Sequence, residues 1–281
     1  MRLFIEVEGF IMDEKDKLTK LKDILKDMKS VVIAFSGGVD STFLLKVASE
    51  VLKGRVMAVT ASSSTFPKRE MNEAINFAKS IGAKHSVVNS EELNIEGFSK
   101  NPKNRCYYCK KELFSKIGQI AKKEGFDFVA DGANADDTGD YRPGMDAARE
   151  LGVRSPLLEA GMTKNDIRML SKQMNLPTWD KPSFACLSSR VPYGQEITRQ
   201  KLMMIDKSEQ YLLDIGFRQV RVRHHGDIAR IEVAPEERVK FFDLKVMDDV
   251  YKKLKEIGFN YVTLDLKGYR TGSMNEVIRR N

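Results

Sequence analysis

The chain has little of what holds small secreted scaffolds together. Its 281 residues include three cysteines, three histidines and one tryptophan. Three thiols cannot build a disulfide framework, and an odd number suits a reducing compartment. The histidines, His85, His224 and His225, do not stand at zinc-finger spacing from the cysteines, which argues against that module. No apolar run reaches the roughly eighteen residues a membrane helix needs, so no membrane partner is expected. Residues 1–11 carry Glu6 and Glu8 and lack a basic start, so they do not read as a secretion signal, and Met12 is an alternative start. A cytoplasmic protein is expected. The net charge of +7, with a pI near 9.1, is spread thinly, without a dense basic arm. Nucleic acid is therefore not an expected partner. There is also no internal repeat and no low-complexity segment.

What is present begins with residues 31–42. Val31, Val32 and Ile33 open a short β-branched run that reads as a buried parallel strand. Apolar residues at helical spacing follow from Phe43. Between them stands S-G-G-V-D-S, residues 36–41. Gly37 and Gly38 permit close backbone approach to a ligand, and Ser36 and Ser41 add hydroxyls. With the helix N-terminus they make an anion nest of phosphate size. The Gly-Lys-Ser/Thr of a Walker loop is absent. The stretch resembles the PP-loop, S-G-G-x-D-S, of N-type ATP pyrophosphatases. That resemblance implies that Ser36, Gly37, Gly38, Val39, Asp40 and Ser41 hold the β- and γ-phosphates of ATP. It also implies that Asp40 helps to hold Mg²⁺, a hard cation suited to carboxylate and phosphate oxygens.

Strand and helix patterns alternate through about residue 130, which argues for a doubly wound parallel sheet. Strands are expected at 56–60, 85–88 and 126–130, and helices at 13–28, 42–53, 67–81, 110–124 and 163–174. Segment 155–158 reads as extended. Ligands in such sheets sit at the carboxyl ends of strands. Thr60, which ends the second strand, and Gly132, in the polar loop after the fourth, are assigned to the nucleotide site with the PP-loop. The acidic residues of that loop suit Mg²⁺, a ribose or a helix cap. Pro192 and Gly194 mark a boundary. The expected architecture is α/β: a PP-loop (adenine nucleotide alpha hydrolase-like) domain at 1–190, and a smaller α+β domain at 191–281 for substrate binding or oligomerisation.

Cys106 and Cys109 form C-x-x-C at an expected loop-to-helix junction, and Cys186 lies in a distant loop. Three thiolates suit three irons of a [4Fe–4S] cluster, with one iron left open. Zinc or redox use, and three unrelated thiols, are the competing readings. Arg221 and Arg223 lie two apart on an alternating strand, hence on one face. They suit a bidentate clamp for phosphate or carboxylate, or a solvated basic face. Arg190 and Lys111 are candidates to neutralise carboxylate or pyrophosphate, or are surface charges. Arg270 and Ser273 suit a phosphate or subunit contact. Phe241 and Met247 read as core.

Six separated segments then match one family. They are 36–41, 104–114 around C-Y-Y-C, 131–144 beginning D-G-A-N-A-D-D, 186–190 (C-L-S-S-R), 220–226 (V-R-V-R-H-H-G) and 268–275 (G-Y-R-T-G-S-M-N). Over nearly its whole length the chain resembles the LarE family of PP-loop sulfurtransferases. The resemblance implies adenylation of a carboxylate on a pyridinium mononucleotide, then displacement of AMP by sulfur, on the route to the nickel-pincer nucleotide. Cys186, Asp40 and Lys111 take the catalytic roles, and Arg190, Arg221 and Arg223 bind substrate. Cys106, Cys109 and Cys186 are the ligands of a [4Fe–4S] cluster that carries sulfide from an outside source. In the family's other chemistry, the cysteine at position 186 gives up its own sulfur. A homo-oligomer is also implied. A tRNA thiolase and an ATP-dependent amidating ligase are the alternatives of other classes.

Overall fold

A computed structural model describes residues 13–139, 143–183, 185–270 and 272–273. The two possible starts, positions 140–142 of the acidic motif, Phe184, Thr271 and positions 274–275 lie outside the described residues.

Helix α1 (Glu14–Met28) is N-capped by Asp13, whose carboxylate accepts from the amides of Lys15 and Asp16. It leads into β1 (Val31–Ala34), and then come α2 (Val39–Leu52), β2 (Val56–Ser62), α3 (Lys68–Ser80) and β3 (Lys84–Asn89). Next are α4 (Arg105–Glu124), β4 (Phe128–Ala130), α5 (Pro143–Glu150), α6 (Pro156–Glu159) and α7 (Lys164–Gln173). The four strands form one parallel sheet in the order β3-β2-β1-β4. Strand alternation splits the core. Val31 and Ile33 pack with α1, α2, α3 and α7 on one face, while Val32 packs with Phe114 and Ile117 of α4 on the other. Both faces are covered, as the unbroken apolar run of β1 requires.

The chain adds strands outward from β1 to β3, then crosses back so that β4 lies on the other side of β1. That reversal opens a crevice at the carboxyl ends of β1 and β4, where open α/β sheets bind ligands. The PP-loop follows β1, and the Gly132 loop follows β4.

The rest of the chain builds a second sheet. Helix α8 (Arg199–Asp214) is capped by Thr198, and β5 (Val220–His225) and β6 (Ile228–Val233) form an antiparallel hairpin. Helix α9 (Leu244–Ile257) and β7 (Tyr261–Leu264) follow, with β7 parallel to β6. Val220, Val222, Ile231, Leu254 and Phe259 form its core. Between the sheets, Phe98, Leu187, Val191, Ile197, Leu202 and Ile205 make a fourth apolar cluster. The Asn101 amide donates to the carbonyls of Val191 (3.1 Å) and Pro192 (2.7 Å), so the expected boundary is pinned rather than free.

Two local expectations change. Helix α4 begins at Arg105, so Cys106 and Cys109 lie within the helix, three apart and on one face. Arg105 is buried and donates to Asn101 Oδ1 at 2.8 Å, which anchors this extra turn. Segment 155–158 is not extended. Pro156 takes the first position of α6, where its missing N–H costs nothing.

Candidate active site

The PP-loop is shaped by its glycines. Gly37 has φ +68°, a region that glycine enters without strain, and a Cβ there would meet Ala74 Cβ at 3.0 Å. Gly38 caps α2 without a side-chain bond. The first helical bond runs from Thr42 N to Gly38 O (2.9 Å), so the amides of Val39, Asp40 and Ser41 precede the ladder. Such amides sit at the positive end of the helix dipole and suit an anion. The hydroxyls of Ser36 and Ser41 lie 3.2 Å apart across the loop.

Asp40 faces Lys164, the first residue of α7, and the two form a short ion pair. Burial raises the Asp40 carboxyl above its ordinary value, against the pull of Lys164 and with the push of Asp137. Asp40 Oδ1 is buried and has no hydrogen-bond partner among the described residues. An orphaned carboxylate oxygen with a second carboxylate nearby fits a hard divalent cation such as Mg²⁺. Sequence reasoning does not single out Lys164. The available signal is a lysine at a helix N-terminus, where the dipole disfavours it. Thr163 and Asp166 form a capping box there that fixes where Lys164 begins.

Gly132 closes the other wall of the crevice. A Cβ on it would lie 3.1 Å from Ser41 N and 3.3 Å from Ser41 Cα, so only glycine lets the β4 loop lie against the PP-loop. The acidic residues beyond it serve their own turn in part. Asp131 accepts from Ser155 Oγ (2.8 Å) and Ala133 N (3.1 Å), and Asp136 accepts from Lys164 N (2.8 Å). Thr60 is buried, and its hydroxyl donates to Phe35 O at 2.8 Å and meets His85 Nε2 at 3.0 Å. Its side chain braces the sheet ends.

The loop carrying Cys186 is held from several sides. Leu187 N donates to Thr65 O (2.9 Å) at the end of the Ser-rich turn after β2. Arg190 is completely buried. It makes a two-pronged pair with Glu209 (2.8 and 2.9 Å) and donates to the carbonyls of Ala185 (2.5 Å) and Cys186 (3.0 Å). Arg221 donates to Ser183 O, and Arg223 donates to Ser189 O (3.1 Å) and pairs with Glu232 (2.6 Å). Burial pushes the Arg221 guanidinium down to about 10, helped by the like charges of Arg190 and Arg223. The two strand arginines therefore share one face, buried against the Cys186 loop, and not a solvated face. Glu209, which also accepts from Val222 N (3.0 Å), is a second residue the sequence does not reveal. Ser273 accepts from Arg223 at 2.9 Å.

Cys109 lies at the contact of α4 with this loop. Burial pushes its thiol well above the ordinary value, and Glu92, Cys186 and Cys106 all push the same way. Cys109 thus lies within electrostatic reach of both Cys186 and Cys106. Among the described residues no three His, Cys, Asp or Glu side chains are arranged to hold a metal ion as they stand. A multi-atom cluster holds its thiolates farther apart than a single ion does. Three soft thiol donors in one neighbourhood fit such a group by donor chemistry. Lys111 stands on the exposed side of α4, where it donates to Tyr107 Oη at 3.1 Å, apart from the PP-loop contacts described above.

A family model described as NAD synthase matches residues 15–113, the span of the PP-loop and of α4's first turns. An uncharacterized protein of Synechocystis sp. is 42% identical over 266 residues, covering 95% of this chain and 99% of that one. The pyridinium-3,5-bisthiocarboxylic acid mononucleotide synthase of Lactiplantibacillus plantarum is 41% identical over 265 residues, covering 94% of this chain and 95% of that enzyme. The chain belongs to the LarE family of PP-loop sulfurtransferases. As a LarE-family protein it is an ATP-dependent sulfurtransferase. An uncharacterized protein of Methanocaldococcus jannaschii is also similar, 32% identical over 258 residues, which is 91% of this chain and 98% of that one.

Proposed function

We propose that this enzyme adenylates a carboxylate of a pyridinium dicarboxylate mononucleotide and replaces the AMP with sulfur. The substrate reading rests on the 41% identity, across almost the full length, to a synthase of the bisthiocarboxylic acid mononucleotide. The observation that carries the reaction is a juxtaposition. Segment 179–183 runs from the PP-loop to the Cys186 loop, with Lys181 3.4 Å from Gly37 O and Ser183 O held by Arg221.

In this reading the amides of 38–41 and Lys164 hold the pyrophosphate end of ATP, and Asp40 with Mg²⁺ neutralises it as it leaves. Thr60 and Gly132 border the nucleotide. The substrate carboxylate attacks the α-phosphorus, the bond to the bridging oxygen breaks, and pyrophosphate departs. Arg221, which donates to Ser183 O, and Arg223, which donates to Ser189 O and pairs with Glu232, supply charge for the second carboxylate and the substrate's phosphate. Arg190 positions the backbone on either side of Cys186, and Lys111 serves at the rim. The three thiols of Cys106, Cys109 and Cys186 would hold a [4Fe–4S] cluster, which supplies a site for inorganic sulfide delivered from outside. The working assembly is a homo-oligomer, with residues 1–190 and 191–281 as its two domains.

The test is anaerobic purification with iron and sulfide analysis, followed by incubation with Mg-ATP, inorganic sulfide and the pyridinium dicarboxylate mononucleotide. Stoichiometric AMP, pyrophosphate and a thiocarboxylate are expected, with about four irons per chain. Iron-free protein that loses one sulfur's mass at Cys186 after turnover would replace the cluster by the sacrificial chemistry. Ammonia-dependent amide formation in a variant lacking all three cysteines would overturn sulfur transfer.

A further inference from the structure

Away from the crevice most side chains lie where their chemistry puts them. Phe241 points into the second core, while Met247, expected there from its spacing, is exposed. Buried charge is matched as well. Glu70 faces Lys181 (2.7 Å), Glu209 faces Arg190 (2.8 Å), Glu232 faces Arg223 (2.6 Å) and Glu237 faces Lys240 (2.7 Å). Glu92 is the buried glutamate without such a match among the described residues, and it is only 4% exposed. Its Oε1 accepts from Cys109 Sγ at 3.9 Å, a weak thiol contact. Its Oε2 is buried with no hydrogen-bond partner among the described residues. Arg199 pairs with the preceding residue, Glu91 (3.0 Å), instead.

The fold places this carboxylate among the thiols. Glu92 opens the 3₁₀ turn Glu92–Asn94, which follows β3. Leu93, Ile95 and Cys109 all pack against the cluster that contains Leu187 and Val191. The side chains of Ser63 and Thr65 lie beside the Glu92 carboxyl. Thr65 O in turn accepts from Leu187 N, the residue after Cys186, at 2.9 Å. Glu92 is thus fixed between α4, which carries Cys106 and Cys109, and the loop that carries Cys186.

Burying a carboxylate is costly unless a cation or hydrogen bonds meet it. Three thiolates hold three irons of a four-iron cluster and leave the fourth free for another donor. A carboxylate oxygen is a harder donor than sulfur, so it holds cluster iron less firmly than sulfide does. We propose that Glu92 is the resting ligand of that fourth iron and that sulfide displaces it. The proposal rests on the cluster proposed above. Glu92 keeps water off the iron until HS⁻ arrives. The exchange then breaks an Fe–O bond and forms an Fe–S bond, and no electron is transferred.

The test uses the anaerobically purified holoprotein, native, Glu92→Gln and Glu92→Asp, with iron counted in each. Electron paramagnetic resonance of the reduced cluster in ¹⁷O-labelled water reads what occupies the fourth iron. The native lines should stay sharp. Those of both variants should broaden, because an amide is a poor iron ligand and aspartate is one methylene short, so water takes the place. Sulfide, titrated by the visible spectrum, should bind both variants at least tenfold more tightly, since no carboxylate has to leave. Native lines that broaden in labelled water overturn Glu92 as the ligand. So do variants that keep four irons and the native affinity for sulfide, the result expected if Glu92 only accepts from the Cys109 thiol. Variants that lose their iron leave the native spectrum to decide. An iron-free native protein overturns the cluster itself, and its ligand with it.

Discussion

At the scale of single residues, the site is a set of charges whose partners fix their roles. Asp40 is held by Lys164, and one of its oxygens is left without a partner among the described residues. Asp40→Asn keeps the shape and removes the charge. Pyrophosphate formation should fall at least ~100-fold, the scale of losing one preorganised electrostatic contact, and the Mg²⁺ concentration for half-maximal rate should rise. Native-like activity, measured by pyrophosphate release, would remove Asp40 from the metal role. Glu209 is the opposite kind of residue. Burial alone would push its carboxyl up, but the Arg190 charge and hydrogen bonds outweigh burial and bring it below the ordinary 4.5. A carboxylate lowered in the fold stabilises above its unfolded value, and that contribution is lost as pH falls through the folded one. Glu209→Gln should therefore cost about 3–5 kcal/mol at pH 7, because Arg190 is left buried without its counter-charge. It should also flatten the acid limb of stability below about pH 4.5, read by denaturant titration across pH.

At the scale of elements, loops and caps set the geometry. The capping box of Thr163 and Asp166 positions the start of α7, and Lys164 with it. Thr163→Ala should cost about 1 kcal/mol and raise KM for ATP several-fold, with KM for the carboxylate substrate unchanged. Gly132→Ala would press a methyl on Ser41 backbone at 3.1 Å, and overpacking of this kind costs about 1–3 kcal/mol. ATP binding measured by calorimetry should weaken by tenfold or more while the sheet stays intact. The parallel sheet and both crevice loops are legible in the sequence, because a buried strand, a double glycine and a helix start are local signals. The α4 start is not legible, because it depends on Arg105 bonding Asn101 and stacking on Tyr193 at 4.6 Å, across 88 residues of chain. The roles of Arg190 and Lys164 are hidden for the same reason. Their partners, Glu209 and Asp40, are 19 and 124 residues away. Arg221 and Arg223 are legible as one face, but which surface covers that face is not.

At the scale of the whole molecule, the two sheets are joined by more than the chain between them. Phe98, just before α4, packs with Leu187, Val191, Ile197, Leu202 and Ile205 in a cluster belonging to neither sheet alone. Arg69 of α3 reaches Asp206 (3.0 Å) and Gln210 (3.2 Å) of α8 across the same junction. The Cys186 loop lies in this seam, so the proposed sulfur chemistry depends on the sheets staying docked. Independent domains would unfold in two steps. An apolar seam with buried charge pairs makes them one cooperative unit. The native protein should therefore show a single calorimetric transition in which the calorimetric and van't Hoff enthalpies agree. Mg-ATP at about 100 times its Kd should raise the stability of the whole chain by about 2.7 kcal/mol, although its proposed site lies on the first sheet alone. Phe98→Ala removes the centre of the seam at a cost of about 3–5 kcal/mol. It should uncouple the transition, so that ATP then shifts only the first-sheet component. Two transitions in the native protein, with ATP moving only one, would show instead that the seam is a loose contact and that the Cys186 loop is held by the first sheet alone.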